Sequence, residues 1–168
     1  MVLVAPVARA PAVKTSGTRH LLFAIVTPAS TIEYRVCPPV SDSELNGLFT
    51  ASWPNHLATD FQAVLRSSMA YICAYQGGEI VGYVNAAWDG KKHAFVLDTT
   101  VRPSHRHRGI GRQLVLRAIE EAKARGVVWV HVDFEPNLRD FYSHCGFRPS
   151  EAGVISLAGV ALDAKEAS

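Results

Sequence analysis

Between Ile32 and Val101 the alternation of apolar and polar positions changes rhythm several times, and each change marks an element. "TIEYRVC" alternates with period two and is rich in β-branched and aromatic residues, so it predicts a first strand. "SDSELNGLF" opens with Ser41 and carries Glu44 three residues later, the capping-box spacing at a helix start. In "LATDFQAVLRSS", Leu57, Phe61, Val64 and Leu65 recur at helical spacing and predict a second helix. The link between the two, "TASWPNH", is a proline-bearing loop with Trp53, Asn55 and His56. "MAYICAY" and "EIVGYVNAAWD" read as strands joined at Gly77-Gly78, and Asp89-Gly90 turns the second into "HAFVLDTTV". The result is an antiparallel meander.

Beyond Val101 the period becomes helical. From Gly109 to about Arg125, Ile110, Leu114, Ala118 and Ala122 form one apolar stripe, and Gly126 ends the helix. "VVWVHVDF" is a nearly continuous apolar run, which predicts a strand in a buried parallel position. Strand, helix and strand at this spacing imply a right-handed crossover. A last helix from Asn137 to about Cys145 is closed by Gly146, and "GVISL" predicts one more strand. The fold class is α+β: a mixed sheet, antiparallel first and parallel afterwards, with helices on both faces.

Composition narrows this only modestly. At 168 residues, 48% hydrophobic and 19% charged, the chain has the balance of one soluble domain. We assign the domain to residues 31–168 and read 1–30 as a flexible N-terminal extension in which Leu21–Val26 adds an edge strand. That extension has no acidic residue, but Pro6, Pro11 and Pro28 oppose the continuous amphipathic helix of an organellar presequence. No apolar run approaches the roughly 18 residues of a membrane span. Cys37, Cys73 and Cys145 are odd in number and lack C-x-x-C spacing, which fits reduced thiols of a cytoplasmic protein. His105 and His107 are two apart with no matching carboxylate pair, so no metal site is expected.

A net charge of +2 is too small for bulk nucleic-acid binding, yet basic residues crowd between Arg102 and Arg112. They surround "RHRGIG", Arg106–Gly111, where a strand becomes a helix. Unpaired amides and the helix dipole at such a start favour an anion, and glycine lets it approach the backbone. A Walker A loop fails because Arg112-Gln113 follows Gly111, and a G-x-G-x-x-G fingerprint fails because Leu114 stands at its last position. What remains is R-x-x-G-x-G. This motif, after "LDTTVRPSHR" and about thirty residues ahead of Phe141, Tyr142, Gly146 and Phe147 in "DFYSHCGF", resembles the GNAT N-acetyltransferase superfamily. The resemblance runs from about Ile32 to Leu157 and includes the order of elements.

That resemblance implies an acetyl-CoA-dependent N-acetyltransferase. The amides from Arg106 through His107, Arg108, Gly109, Ile110, Gly111 and Arg112 would cradle the pyrophosphate, with the three arginines adding charge. Thr99, Thr100 and Val101 would offer backbone hydrogen bonds to the pantetheine arm, which enters where this strand splays from its parallel neighbour. Asn137 resembles the family's cofactor-binding asparagine in type but stands closer to Tyr142 than the usual spacing; its simplest role is to cap the last helix. The family transfers directly, without an acyl-enzyme, so Cys145 reads as a small apolar residue.

Tyr142 falls on the family's tyrosine and is expected to protonate the departing thiolate. Asp98 is the expected base or water-positioner, placed by alternation on one face with Val96 and Thr100. Asp133 and Glu135 are alternatives, and His131, sharing a face with Asp133, reads as a strand histidine. Trp53, His56, Tyr83, Asn85 and Trp88 are expected to line the acceptor pocket. The expected acceptor is a small-molecule amine; a peptide or protein amine, and a non-catalytic acyl-CoA-binding regulatory module, are the alternatives. The resemblance also implies a possible homodimer.

Overall fold

The computed structural model describes residues 31–157. The 1–30 extension, its Leu21–Val26 strand and residues 158–168 of the assigned domain lie outside the described residues. The elements run β1 (Glu33–Val36), α1 (Asp42–Ser52), α2 (Phe61–Ser67), β2 (Ala70–Gln76), β3 (Glu79–Trp88), β4 (His93–Val101), α3 (Ile110–Ala124), β5 (Trp129–Val132) and α4 (Arg139–His144). Short 3₁₀ turns at Pro103–His105 and Pro136–Leu138 precede α3 and α4. The five strands lie in sequence order; β1 to β4 pair antiparallel, and β4 and β5 pair parallel.

Side-chain alternation divides the sheet into two apolar faces. The α3 stripe of Ile110, Leu114, Ala118 and Ala122 is buried with Val115 against Ile72, Val84, Ala94 and Val96. The opposite face carries Cys73, Tyr75 and Tyr83, covered by Leu45, Leu48 and Phe49 of α1 and Phe61 of α2. Each fully buried Leu, Ile or Phe contributes roughly 1.5–3 kcal/mol relative to exposure, so the two layers dominate folding. At the centre of the sheet Gly82 permits the close approach of α3. A Cβ there would lie 2.9 Å from Leu114 Cδ1 and 3.3 Å from the Thr100 carbonyl oxygen.

The helix starts follow from local chemistry. Ser41 and Glu44 form the predicted capping box. α2, by contrast, starts only after Asp60, whose carboxylate accepts from the Ala63 N–H. Leu57 is therefore outside the helix and 81% exposed, contrary to the helical spacing read from the sequence. The segment before Asp60 is held instead by Asn46, which accepts from the Thr59 N–H and donates to the Thr59 carbonyl.

Three further expectations change at the C-terminal end. β5 closes the described sheet as an edge strand with Val128 and Trp129 each 61% exposed, because an apolar run cannot by itself tell an edge from a centre. "GVISL" forms no strand, and Ile155 and Leu157 are exposed. Asn137 lies within the 3₁₀ turn; Leu138 occupies the cap of α4 and makes no side-chain capping bond.

Candidate functional site

The site is organised by an irregularity in β4. Its register against β3 runs Ala86↔Val96 and Asn85↔Leu97, then jumps to Tyr83↔Thr100, so β4 carries an extra residue at Asp98–Thr99. Asp98 adopts φ +57°, a left-handed conformation that aspartate tolerates better than most side chains. A bulge of this kind leaves ladder groups of the bulged strand unpaired and re-aims its side chains. Strict alternation placed Asp98 with Val96 and Thr100; the bulge breaks that. Val96 stays on the α3 face, whereas Asp98 joins Leu97 and Thr100 on the face of Tyr83 and Asn85.

The Thr100 hydroxyl fastens the bulge. It donates to the Asp98 carbonyl and accepts from Trp53 Nε1, both at 3.0 Å. Trp53 is the C-cap residue of α1, so the end of that helix is tied to the bend in β4. Asp98 is an exposed residue, yet desolvation by the protein around its carboxyl raises the pKa and outweighs the hydrogen bond from the Asn85 side-chain amide, which favours the ionised form. Behind it lie two buried oxygens without partners, Asn85 Oδ1 and the Tyr83 hydroxyl. Tyr83 is fully buried, and burial, followed by the Asp98 charge, drives its pKa far upward. Such orphan groups cost about 1–3 kcal/mol each and call for a role.

On the other face, Thr99 points to α4. Its hydroxyl faces Tyr142 and draws the phenol pKa down without reaching full hydrogen-bond geometry, while burial raises that pKa and prevails. Tyr142 is 6% exposed, stacked on Phe134 at 4.9 Å and packed edge-on against Phe141 and Phe147. Asp98 and Tyr142 thus flank one bend of β4 from opposite sides. Just beyond the last β4–β5 pair, Val96↔Val132, β4 continues to Val101 with no β5 partner.

At the end of β4 the chain enters the strand-to-helix turn. His107 has φ +58° and Gly109 φ +77°, left-handed conformations of the kind that occur in anion-binding nests. The Arg106 N–H is taken up by the Pro103 carbonyl and the Gln113 N–H by Gly109, so amides 107–112 precede the first intrahelical bond of α3. A Cβ at Gly109 would meet nothing within 4 Å; one at Gly111 would touch Phe141 and Val101 at 3.4–3.5 Å. Gly109 therefore fronts open space, and Gly111 seats α3 against α4.

The arginines are more committed than the sequence suggested. Arg106 donates to the carbonyls of Val101 and Ser52, each at 3.2 Å, and so ties the end of α1 to the end of β4. Arg108 reaches Gln76 at 3.3 Å, and Arg112 donates to the His144 carbonyl at the end of α4. Arg102 pairs with Glu79 at 2.8 Å.

The other expected residues divide. His56 bonds Asn46 Oδ1 at 2.9 Å and packs on Phe49 and Phe61, within the α1–α2 layer. Trp88 sits at the far end of β3, paired with Ala94 on the α3 face. Asp133 and Glu135 are exposed beyond the end of β5, and His131 bonds His93 across the β4–β5 pair. Cys145 is buried, and burial raises its thiol pKa. Among the described residues no three His, Cys, Asp or Glu side chains converge as metal ligands, and no helix is long and apolar enough to cross a membrane. Sequence reasoning missed Leu97 and Phe95, which the pleat and the bulge leave exposed on the Asp98 face.

Comparison with known proteins agrees with this arrangement. The chain is 41% identical over 58 residues to a probable glucosamine 6-phosphate N-acetyltransferase 2 of Oryza sativa subsp. japonica, covering 34% of this chain and 35% of that protein. It is 34% identical over 81 residues to the chloroplastic serotonin N-acetyltransferase 2 of the same plant, covering 48% and 40%. In both cases the match spans less than half of the relative's length. The fold superposes on the aminoglycoside N-acetyltransferase AAC(6')-Iy in complex with CoA with TM-score 0.64 at 20% identity, over 79% of this chain and 97% of that one. Residues 41–147, from the capping serine of α1 to the phenylalanine after α4, match the profile of the acetyltransferase (GNAT) family. With the mixed sheet, the bulged β4 and the glycine-bearing turn in place, the chain belongs to the GNAT acetyltransferase family.

Proposed function

We propose that this protein transfers an acetyl group from acetyl-CoA directly to a primary amine of a small molecule. The observation that carries the reading is the β4 bulge, which sets Asp98 on one face of the strand and Thr99 toward Tyr142 on the other, next to the 107–112 turn. The turn fits the co-substrate: amides 107–112 precede the first internal bond of α3, Gly109 fronts open space, and β4 runs on beyond its last pair with β5. In this reading amides 107–112 hold the pyrophosphate, and the free edge of Thr99–Val101 accepts the pantetheine arm. Arg108 and Arg112 lie beside the turn, while Arg106 braces it.

Acetyl-CoA supplies a thioester whose carbonyl carbon is the electrophile. The amine attacks only when neutral, and an alkylammonium with pKa near 10 must first lose a proton. Asp98, with its raised pKa, accepts that proton directly or through water. As the N–C bond forms and the C–S bond breaks, unpaired amides of the bulge face the developing oxyanion. Tyr142, kept neutral by burial, gives its proton to the departing sulfur and recovers one from the acylated nitrogen, which sheds its second proton as the C–S bond breaks, while Asp98 returns the first to solvent. The products are the acetamide and CoA thiol.

The names of the relatives cover a sugar phosphate, an arylalkylamine and an aminoglycoside, so they support a small amine without choosing one. A non-catalytic acyl-CoA-binding module would need the turn but not the Asp98–Tyr142 pair. Release of CoA thiol from acetyl-CoA, followed across a broad amine panel, is the test. Amine-dependent release is expected, and tight acetyl-CoA binding with no release on any amine would favour the binding module.

A further inference from the structure

The bend that carries Asp98 is held from another element, and this inference rests on the acetyl-transfer reading above. Asp98 sits at φ +57°, a conformation that a non-glycine residue keeps only where its surroundings over-determine it. Thr100, 2% exposed, supplies that constraint: its hydroxyl bonds both the Asp98 carbonyl and Trp53 Nε1, each at 3.0 Å. An indole N–H can only donate, so the hydroxyl must accept from it, and its single proton is left for the Asp98 carbonyl. Trp53 therefore sets the direction of the bond that closes the bend. The residue is itself fixed at the end of α1, where its backbone N–H donates to the Phe49 carbonyl at 2.8 Å and Arg106 binds the neighbouring Ser52 carbonyl. Asp98 is thus gripped twice, at its peptide from α1 through Thr100 and at its carboxylate by the Asn85 amide of β3. Trp53 remains 48% exposed, so burial of the ring alone does not fix it in place.

We infer that Trp53 is a positioning residue: its indole N–H, acting through the Thr100 hydroxyl, holds the Asp98 peptide in the bulge so that the carboxylate stands beside Asn85, where the acceptor amine loses its proton. The sequence reading makes Trp53 a lining residue of the acceptor pocket, and the two roles differ in what they change. A lining residue acts on acceptor binding and so on KM, whereas a residue that holds the base acts on proton transfer and so on kcat. With the N–H removed, the Thr100 hydroxyl is free to turn, and Asp98 loses one of its two constraints. Its backbone then relaxes from the left-handed region. The carboxylate moves toward water, and the desolvation that raises its pKa declines. The other titratable and charged groups around the bend are Tyr83 of β3, on which the Asp98 charge acts, Arg106 of the turn, Tyr142 of α4 across the strand, and Asp133 and Glu135 beyond β5. Substitution at Trp53 or Thr100 leaves each of them present.

The test uses the full-length chain, thiol-release kinetics at saturating acetyl-CoA, and serotonin, glucosamine 6-phosphate and kanamycin as acceptor probes. Trp53→Phe keeps an aromatic ring and removes the N–H; Thr100→Val keeps the branched shape and removes the hydroxyl. Each is expected to lower kcat about tenfold, with acceptor KM and acetyl-CoA affinity within about twofold of the parent. The double variant should lose no more than the more damaged single one, because both changes break one linkage. Thr100→Ser, which keeps the hydroxyl, should recover kcat to within about threefold of the parent. By NMR, the Trp53 indole N–H of the parent is expected to be protected from exchange despite its exposed ring. The Asp98 carboxyl of Trp53→Phe is expected to titrate closer to the ordinary carboxylate range than that of the parent. A raised KM with unchanged kcat would make Trp53 a lining residue only and overturn the proposal. So would an unprotected indole N–H in the parent, or an Asp98 titration that neither Trp53→Phe nor Thr100→Val moves. The exchange measurement needs no variant, so it decides the point even where a substitution harms folding. Failure of the transfer reading looks different: the parent releases no thiol with any amine, and the N–H exchange and the Asp98 titration still decide whether Trp53 holds the bend.

Discussion

At the residue scale, the proposed chemistry rests on two acids whose environments push them the same way for different ends. Burial raises the Tyr142 phenol above its ordinary range, so it holds its proton at neutral pH and can donate it. Tyr142→Phe keeps the ring in its cage of Phe134, Phe141 and Phe147 and removes only the hydroxyl. It is expected to lower kcat by about 10²–10³-fold with acetyl-CoA affinity within about twofold; an unchanged kcat would dismiss Tyr142 as the acid. In the proposed reaction Asp98 has the opposite duty, and its raised pKa carries a stability cost. Its folded pKa is raised, so the native state binds the proton more tightly than the unfolded chain does. The stabilisation from protonating it is present below the ordinary carboxylate range and is lost as pH rises through the raised pKa. Asp98→Asn is therefore expected to raise Tm at pH 7 relative to the parent, with the gain vanishing in acid. The same change should cut kcat/KM by about 10²–10³-fold and abolish the acidic limb of the pH–rate profile. A loss of rate accompanied by a lower Tm at pH 7 would point to damage to the fold, not to loss of a base.

At the scale of elements, what the sequence made legible follows from how local each determinant is. The capping box of α1, the α3 stripe and the two hairpin turns depend on residues within a few positions, and the structure has them where the pattern places them. The late start of α2 was hidden because Asn46, thirteen residues upstream of Thr59, holds the loop. The bulge was hidden for a deeper reason: a one-residue mismatch between β3 and β4 is a property of the pair, and alternation within β4 cannot reveal it. The place of Asp98 in the strand makes it a candidate base from sequence alone, whereas its surroundings follow only from the β3–β4 register. Gly82 shows the same dependence on a distant partner. Gly82→Val would press on the backbone oxygen of Thr100 and on Leu114, and is expected to destabilise the fold by about 1–3 kcal/mol in chemical denaturation. Because Thr100 holds the bulge, this variant should also lose turnover beyond its loss of folded protein; full specific activity in the folded fraction would uncouple the packing from the site.

At the scale of the whole molecule, the turn, the bulge and α1 behave as one braced unit, and ligand binding should register in global stability. Arg106 joins the turn to the Ser52 carbonyl, Trp53 joins the same helix end to Thr100, and Gly111 seats α3 on Phe141. A ligand held on amides 107–112 contacts a structure that exists only in the native state. At a hundredfold excess over its Kd, acetyl-CoA should add about 2.7 kcal/mol to unfolding, a rise in Tm of about 5–10 °C for a domain of this size. Gly109→Ala isolates the turn from the rest. The methyl group meets no protein atom, but φ +77° strains any L side chain, so the unliganded Tm should fall by a few degrees. The sharper expectation concerns the increment: the methyl group enters the open space that the proposed function gives to the pyrophosphate, and the acetyl-CoA-induced rise should shrink to less than about 2 °C at the same ligand concentration. Equal increments in parent and variant would locate the anion away from Gly109, and the 107–112 cradle would have to be abandoned even if acetyl transfer were observed.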